Sequence, residues 1–134
     1  MQEIIDLLNH YAWSFDADRM DRLKDLFSQD AITGGSVANT DVTWGPWQGP
    51  ELIGQKLGEV RKSHPQWRRH QLTTPYFSKV APAQATVQVY LSLFSCVDGK
   101  TPEVEVTGEY RAEVSKSDGL WKIDSLQAIL DSDF

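Results

Sequence analysis

The chain has almost no cysteine. Cys96 is the only one, which rules out an internal disulfide and any cysteine-based metal cluster, so nothing in the sequence demands an oxidising compartment. Histidine is sparse as well: His10, His64 and His70 are scattered, without the paired spacing of a helical zinc motif, and no metal site is expected. Long hydrophobic runs are missing. No uninterrupted apolar stretch approaches the roughly 18 residues that cross a bilayer, and "MQEIIDLLNHY" lacks the basic start and small-residue cleavage site of a signal peptide. A cytoplasmic protein without membrane contact is the expectation. Positive charge is in deficit, with 13 Lys and Arg against 19 Asp and Glu and a net charge of −6, which opposes non-specific attraction to nucleic acid or anionic lipid. "RKSHPQWRRH" runs against this trend, setting Arg61, Lys62, Arg68 and Arg69 around an aromatic; it reads as a solvated helix end and strand start rather than a nucleic-acid patch. Also absent are a Gly-x-Ser-x-Gly elbow, a phosphate-cradling glycine loop and a Gly-x-Gly-x-x-Gly dinucleotide fingerprint. "GGSV" by itself reads as a turn.

What is present suits one domain over residues 1–134: 40% hydrophobic content, with five Trp, five Phe and four Tyr, is enough for one real core and too little for two. From Glu3 to Phe15 the residues Ile4, Leu8, Tyr11 and Phe15 follow helical spacing, and Ile5 and Ala12 widen the stripe. Asp18 is placed to cap a second helix, with Asp21 in its first turn, Met20, Leu23 and Phe27 on its inner side and an end near "SQD". "AITGGSVANTDVTWGPWQG" reads as short strands or a covering loop. Pro50, after Gly49, opens a third helix that runs to about Lys62.

Beyond a turn at His64 and Pro65 the period changes from 3.6 to 2. "ATVQVYLSLFSCV" sets Val87, Val89, Leu91 and Leu93 on one face and Gln88, Tyr90, Ser92 and Phe94 on the other, so both faces are expected to be covered. "VEVTGEYRAEV" turns Val104, Val106, Gly108, Tyr110, Ala112 and Val114 inward and Glu105, Thr107, Glu109, Arg111 and Glu113 outward, and "KSDGL" leads to a last strand with Trp121 and Ile123. Three helices followed by a hairpinned antiparallel sheet make an α+β fold. The first of these strands holds a puzzle. In "RRHQLTTPYF", alternation places His70 with Leu72, Thr74 and Tyr76 on one face, so an imidazole points at an apolar side.

Four stretches carry a family resemblance over essentially the whole chain: "HYAWSFDADRMDRLKDLFSQDA", "GPELIGQKL", "RRHQLTTP" and "GEYRAEVSKSDGLWKI". Together they resemble the SnoaL-like branch of the nuclear transport factor 2 superfamily, which includes polyketide cyclases, scytalone dehydratase, a hexachlorocyclohexane dehydrochlorinase and, more distantly, ketosteroid isomerase. The resemblance implies an NTF2-like cone, three N-terminal helices packed on a curved antiparallel sheet. In the dehydratase and dehydrochlorinase members an Asp lies fifteen positions before the Ala of a "DA" pair, which here falls on Asp16, before Ala31. The same members carry His, two residues, Thr, then Asn on the first long strand. Here His70 and Thr73 match and the Asn has become Thr74, whose hydroxyl still donates and accepts a hydrogen bond.

The resemblance thus implies that Asp16 fixes the tautomer of His70 and stabilises the imidazolium formed when it takes a proton. Taken singly, a buried His is more often structural and an Asp at a helix end more often a cap. Tyr11, one helical turn before Phe15 and Asp16, is placed to polarise a substrate oxygen. Trp13, Trp44, Trp47, Tyr90 and Tyr110 are candidates to line a pocket for a flat apolar ligand, each with a competing role as core. The expected activity is that of a lyase or isomerase needing no cofactor, acting on a small hydrophobic cyclic, polyketide- or terpenoid-like carbonyl compound by dehydration, cyclisation or isomerisation. The alternative is a non-catalytic ligand-binding or assembly domain. A homodimer through the sheet is expected, since the apolar residues on both faces of "ATVQVYLSLFSCV" cannot share one core.

Overall fold

The stripe of apolar residues at helical spacing makes α1 (Gln2–Asp16), which buries Ile4, Leu8, Tyr11 and Phe15. The computed structural model describes residues 1–64 and 67–133; the turn expected at Pro65 lies outside them. After α1 come a short α2 (Met20–Leu23) with a 3-10 turn (Lys24–Leu26), β1 (Phe27–Val37), β2 (Thr43–Gln48) and α3 (Pro50–Lys62), then four long strands: β3 (Trp67–Ala81), β4 (Gln84–Cys96), β5 (Glu103–Ser117) and β6 (Leu120–Leu130). The strands form a sheet in the order β2-β1-β6-β5-β4-β3. Only β1 with β6 is parallel; the other pairs are antiparallel. Three helices pack on this curved, unclosed six-stranded sheet, an α+β cone. Its inner wall is largely apolar, with Val87, Val89, Leu91 and Leu93 of β4 beside Val106, Tyr110, Ala112 and Val114 of β5, all buried.

Several local readings change in the fold. Asp18 does not cap α2. It sits at φ 54, and the amides of Asp18 and Arg19 donate to the carbonyls of Phe15 and Ser14. Those two bonds close α1 in a Schellman motif, with Asp in the left-handed position more often held by Gly. The second helix is a single turn, and "SQD" already belongs to β1, at the irregular stretch between the Phe27–Ile123 and Ile32–Ser125 pairs with β6. "GGSV" is strand, not turn. Trp44 of β2 lies flat against Gly35, where a Cβ would come within 2.1 Å of the indole, so the glycines serve close packing across the β1–β2 pair.

Register shifts interrupt the alternation of the long strands, and two of them bear on the site. In β3, Arg68 is buried and His70 and Leu72 half-buried, as one inward face requires. The register then shifts between Thr73 and Tyr76, around Thr74 at φ 55. Thr74 and Tyr76 therefore turn outward, and Phe77 takes the inner place. In β5 the register shifts beside the Leu93–Val106 and Phe94–Val104 pairs, leaving Glu105 as the extra residue. Val104 is consequently exposed, and Glu105 turns to the side where Arg68 lies. The outer face of β4 stays open in the single chain, with Tyr90 at 58% exposure.

Candidate active site

Asp16 is the last residue of α1, and its place is fixed from two directions. The Schellman closure ends the helix immediately after it. Its own carbonyl, one of the orphans at a helix C-terminus, accepts a bond of 3.1 Å from Arg61 Nε, while Arg61 Nη1 donates to the His64 carbonyl at 2.6 Å. The guanidinium thereby ties the end of α1 to the end of α3 and sets a positive charge where the helix dipole favours one.

From that position the Asp16 carboxylate reaches β3 with both oxygens. Oδ2 accepts the backbone N–H of His70 at 2.9 Å, and Oδ1 lies 2.5 Å from His70 Nδ1. An ionised carboxylate only accepts, so the short contact places a proton on Nδ1 and leaves Nε2 with its lone pair whenever the ring is neutral. The imidazole side chain is 4% exposed. Phe15 stacks on it, with ring centroids 4.9 Å apart and planes inclined by 29°. The Nδ1 contact and the stacking partner hold the ring in one orientation, and the bond from the His70 backbone N–H fixes the carboxylate that makes that contact.

That ring forms part of the wall of a cavity of about 390 Å³ inside the cone. Tyr11 and Phe15 of α1 close one side, Trp44 and Trp47 of β2 another, and Leu91, Leu93, Val106 and Leu126 of the sheet the floor. Tyr110 joins Tyr11, their rings meeting edge to face at 5.8 Å. Burial, with the neighbouring phenol and the Asp16 charge adding to it, pushes the Tyr11 hydroxyl well above its usual range. Burial does the same to Tyr110, with Asp16 again contributing. Both phenols stay protonated at neutral pH, and the hydrogen bond between them, which raises Tyr11 and lowers Tyr110, makes Tyr11 the donor and leaves the Tyr110 O–H for a bound molecule. Arg68 lines the cavity too, although its position in a basic run pointed to solvent. It is 4% exposed, and its Nε donates to Glu105 Oε2 at 3.1 Å over the intervening β4. Sequence reading passed over this pair because the bulge that turns Glu105 inward has no signature in the residue pattern.

The expected site residues divide accordingly. Tyr11, Trp44, Trp47, His70 and Tyr110 meet at the cavity. Asp16 stands behind His70, in an outer cleft shared with Trp13 and Arg61. Trp13 is 77% exposed and outside the cavity, since its helix position faces away from the sheet. Thr74 and Tyr90 lie on the outer face of the sheet, Thr74 because of the β3 bulge and Tyr90 because it alternates with the buried Val89 and Leu91. His10 is exposed on α1, and His64 lies with Nε2 3.8 Å from Glu105 Oε1. Among the described residues no group of three or more His, Cys, Asp or Glu is placed to hold a metal ion, and no helix is long and apolar enough to cross a membrane.

The double contact has a consequence for stability. Asp16→Ala strands the backbone N–H of His70 and its ring N–H together, and each unmet buried donor costs about 1–3 kcal/mol. The urea midpoint is expected to fall clearly for Asp16→Ala and to move little for Asp25→Ala, at an exposed position. An Asp16→Ala midpoint equal to that of the wild type would mean that the two bonds are not made in solution.

No curated protein matches the sequence significantly. Solved structures do match the fold. A protein of unknown function with a cystatin-like fold from Nostoc punctiforme superposes with a TM-score of 0.83 at 20% identity, covering 99% of this chain and 92% of that one. The β subunit of a candidate aromatic-ring-hydroxylating dioxygenase from Novosphingobium aromaticivorans gives 0.82 at 17% identity, covering 99% and 90%. A candidate scytalone dehydratase from the same organism gives 0.78 at 18% identity, covering 100% and 88%. At such identities the likeness speaks for the fold alone. The sequence itself matches the SnoaL-like domain over residues 1–127, so the chain belongs to the SnoaL-like domain family.

Proposed function

We propose that this protein is a lyase or isomerase that moves a proton on a small, flat, largely apolar carbonyl compound, with Asp16 and His70 as its acid–base pair and no cofactor in the step. The observation that carries the reading is the grip of Asp16 on both N–H groups of His70, which directs the remaining ring nitrogen to chemistry. Nε2 takes a proton from the carbon next to a carbonyl, and the Asp16 charge offsets the imidazolium that results. Tyr110, kept protonated by burial and itself accepting from Tyr11, donates to the oxygen on which negative charge develops. The same imidazolium then returns the proton to another carbon or to a leaving hydroxyl. That second step separates isomerisation from dehydration, and the substrate rather than the pair decides it. The apolar wall suits a ring system and keeps water from quenching the carbanion.

A proton-exchange assay tests this without the natural substrate. 2-Tetralone in deuterated buffer exchanges its α-hydrogens slowly, and NMR follows the loss. The wild-type protein is expected to accelerate the exchange, and His70→Ala to lose about 10²- to 10⁴-fold of that acceleration while its circular dichroism is unchanged. Asp16→Asn should lose nearly as much. A His70→Ala protein that exchanges as fast as the wild type, or a wild type no faster than buffer, ends the reading.

An assembly role is the second reading, and one feature favours it: Tyr76 and Tyr90 are exposed on the outer face of β3 and β4, at 63% and 58%. We propose that a second copy of the chain covers this face as a two-fold homodimer, which is compatible with a working cavity on the opposite side of the sheet. Light scattering at micromolar concentration should then return about twice the 15.1 kDa chain mass, and Tyr76→Glu with Tyr90→Glu should return the single-chain mass. A wild-type protein that scatters as one chain removes the proposal.

A further inference from the structure

We propose that Arg68 is an anion anchor inside the cavity, so that the compounds this site takes are apolar ring systems bearing a carboxylate, phenolate or enolate oxygen. This deepens the proton-transfer reading above and rests on it for what happens after binding. Arg68 is part of the cavity wall and 4% exposed. Its guanidinium has five N–H donors in a planar fork. Glu105 takes Nε at 3.1 Å, while Nη1 is buried with no hydrogen-bond partner, the only such side-chain nitrogen or oxygen among the described residues. Folded proteins rarely leave a buried donor unmet without a use for it, and an arginine fork is the side chain best shaped for a carboxylate.

The placement fits the chemistry next door. Arg68 and His70 are two residues apart on one face of β3, so their Cα atoms are about 6.5–7 Å apart. An anionic oxygen held at Arg68 therefore brings the adjoining ring carbons towards the imidazole. The phenols of Tyr11 and Tyr110 stay neutral and add no competing charge. Among the described lining residues Asp133, exposed near the end of the chain, is the only carboxylate. Glu105, turned in by the β5 bulge, balances Arg68 while the cavity is empty and yields part of that charge to a bound anion.

Calorimetric titration with two probes of one shape, 2-naphthoate and 2-naphthamide, reads this directly. Naphthoate should bind the wild type at least about ten-fold more tightly than the amide. Glu105→Gln, which removes the competing charge, should widen the preference. The doubly neutral Arg68→Gln/Glu105→Gln protein, which leaves no charge buried alone, should erase it and keep amide affinity within about two-fold. His70→Asn should keep the preference while losing tetralone exchange, so anchoring and proton transfer fail separately. Equal affinity for the two probes in the wild type, no binding of naphthoate, or a preference that survives in the double variant overturns the proposal.

Discussion

Asp16 accepts two bonds from one residue, and the rest of the site is arranged around that grip. The carboxylate ends α1, and His70 lies near the start of β3, fifty-four positions later. Their contact is therefore also a tether between the helical layer and the edge strand of the sheet. A helix that ended one residue earlier or later would rotate the carboxylate by about 100° around its axis. The Schellman closure at Asp18 and the bond from Arg61 to the Asp16 carbonyl prevent that drift. Mechanically, the pair is a layer clamp; chemically, it fixes which nitrogen of the ring carries the proton.

The cavity it serves is apolar because the inner faces of β4, β5 and β6 carry Leu, Val and Tyr, and because α1 and α3 cover only part of that wall. A fully packed core would have filled the cone. Here Trp44 and Trp47 close it from a short edge strand, with Trp44 lying on Gly35 where any side chain would push it away. Against this background the few polar groups count for more than they would in water. Arg68, paired to Glu105 and with one nitrogen unmet, is the least explained by stability alone, since a buried ion pair seldom outweighs the cost of its own desolvation.

The elements with long-range periodicity were legible in the sequence. The apolar stripe from Ile4 to Phe15, the Pro50 start and Lys62 end of α3, and the inward set from Val106 to Val114 follow from spacing and end signals. What failed to show are features set by pairing partners. "SQD" and "GGSV" have weak intrinsic strand preference; "GGSV" is strand because β6 pairs with it on one side and β2 on the other, and "SQD" fills the irregular stretch before it. The bulges at Thr74 and Glu105 break a two-residue period that looks unbroken along the sequence, and each reverses the facing of its neighbours. Thr74 left the candidate site and Glu105 entered it for that reason; Tyr90 left through the alternation that β4 keeps, and Arg68 entered through the β3 alternation that also turns His70 inward. The Asp16–His70 contact rested on family resemblance, not on spacing, since no periodicity links residues so far apart.

The central claim is that Asp16 holds His70 as the Nδ1–H tautomer with Nε2 available to a substrate. Nitrogen-15 NMR of the imidazole rings, at alkaline pH where imidazoles are neutral, measures this directly, with His70→Asn assigning the signals. The account predicts one set of His70 resonances with the proton on Nδ1, its N–H shifted far downfield by the short bond to Asp16, and Nε2 unprotonated. A His70 ring protonated on Nε2, or averaging between tautomers as free histidine does, would contradict it.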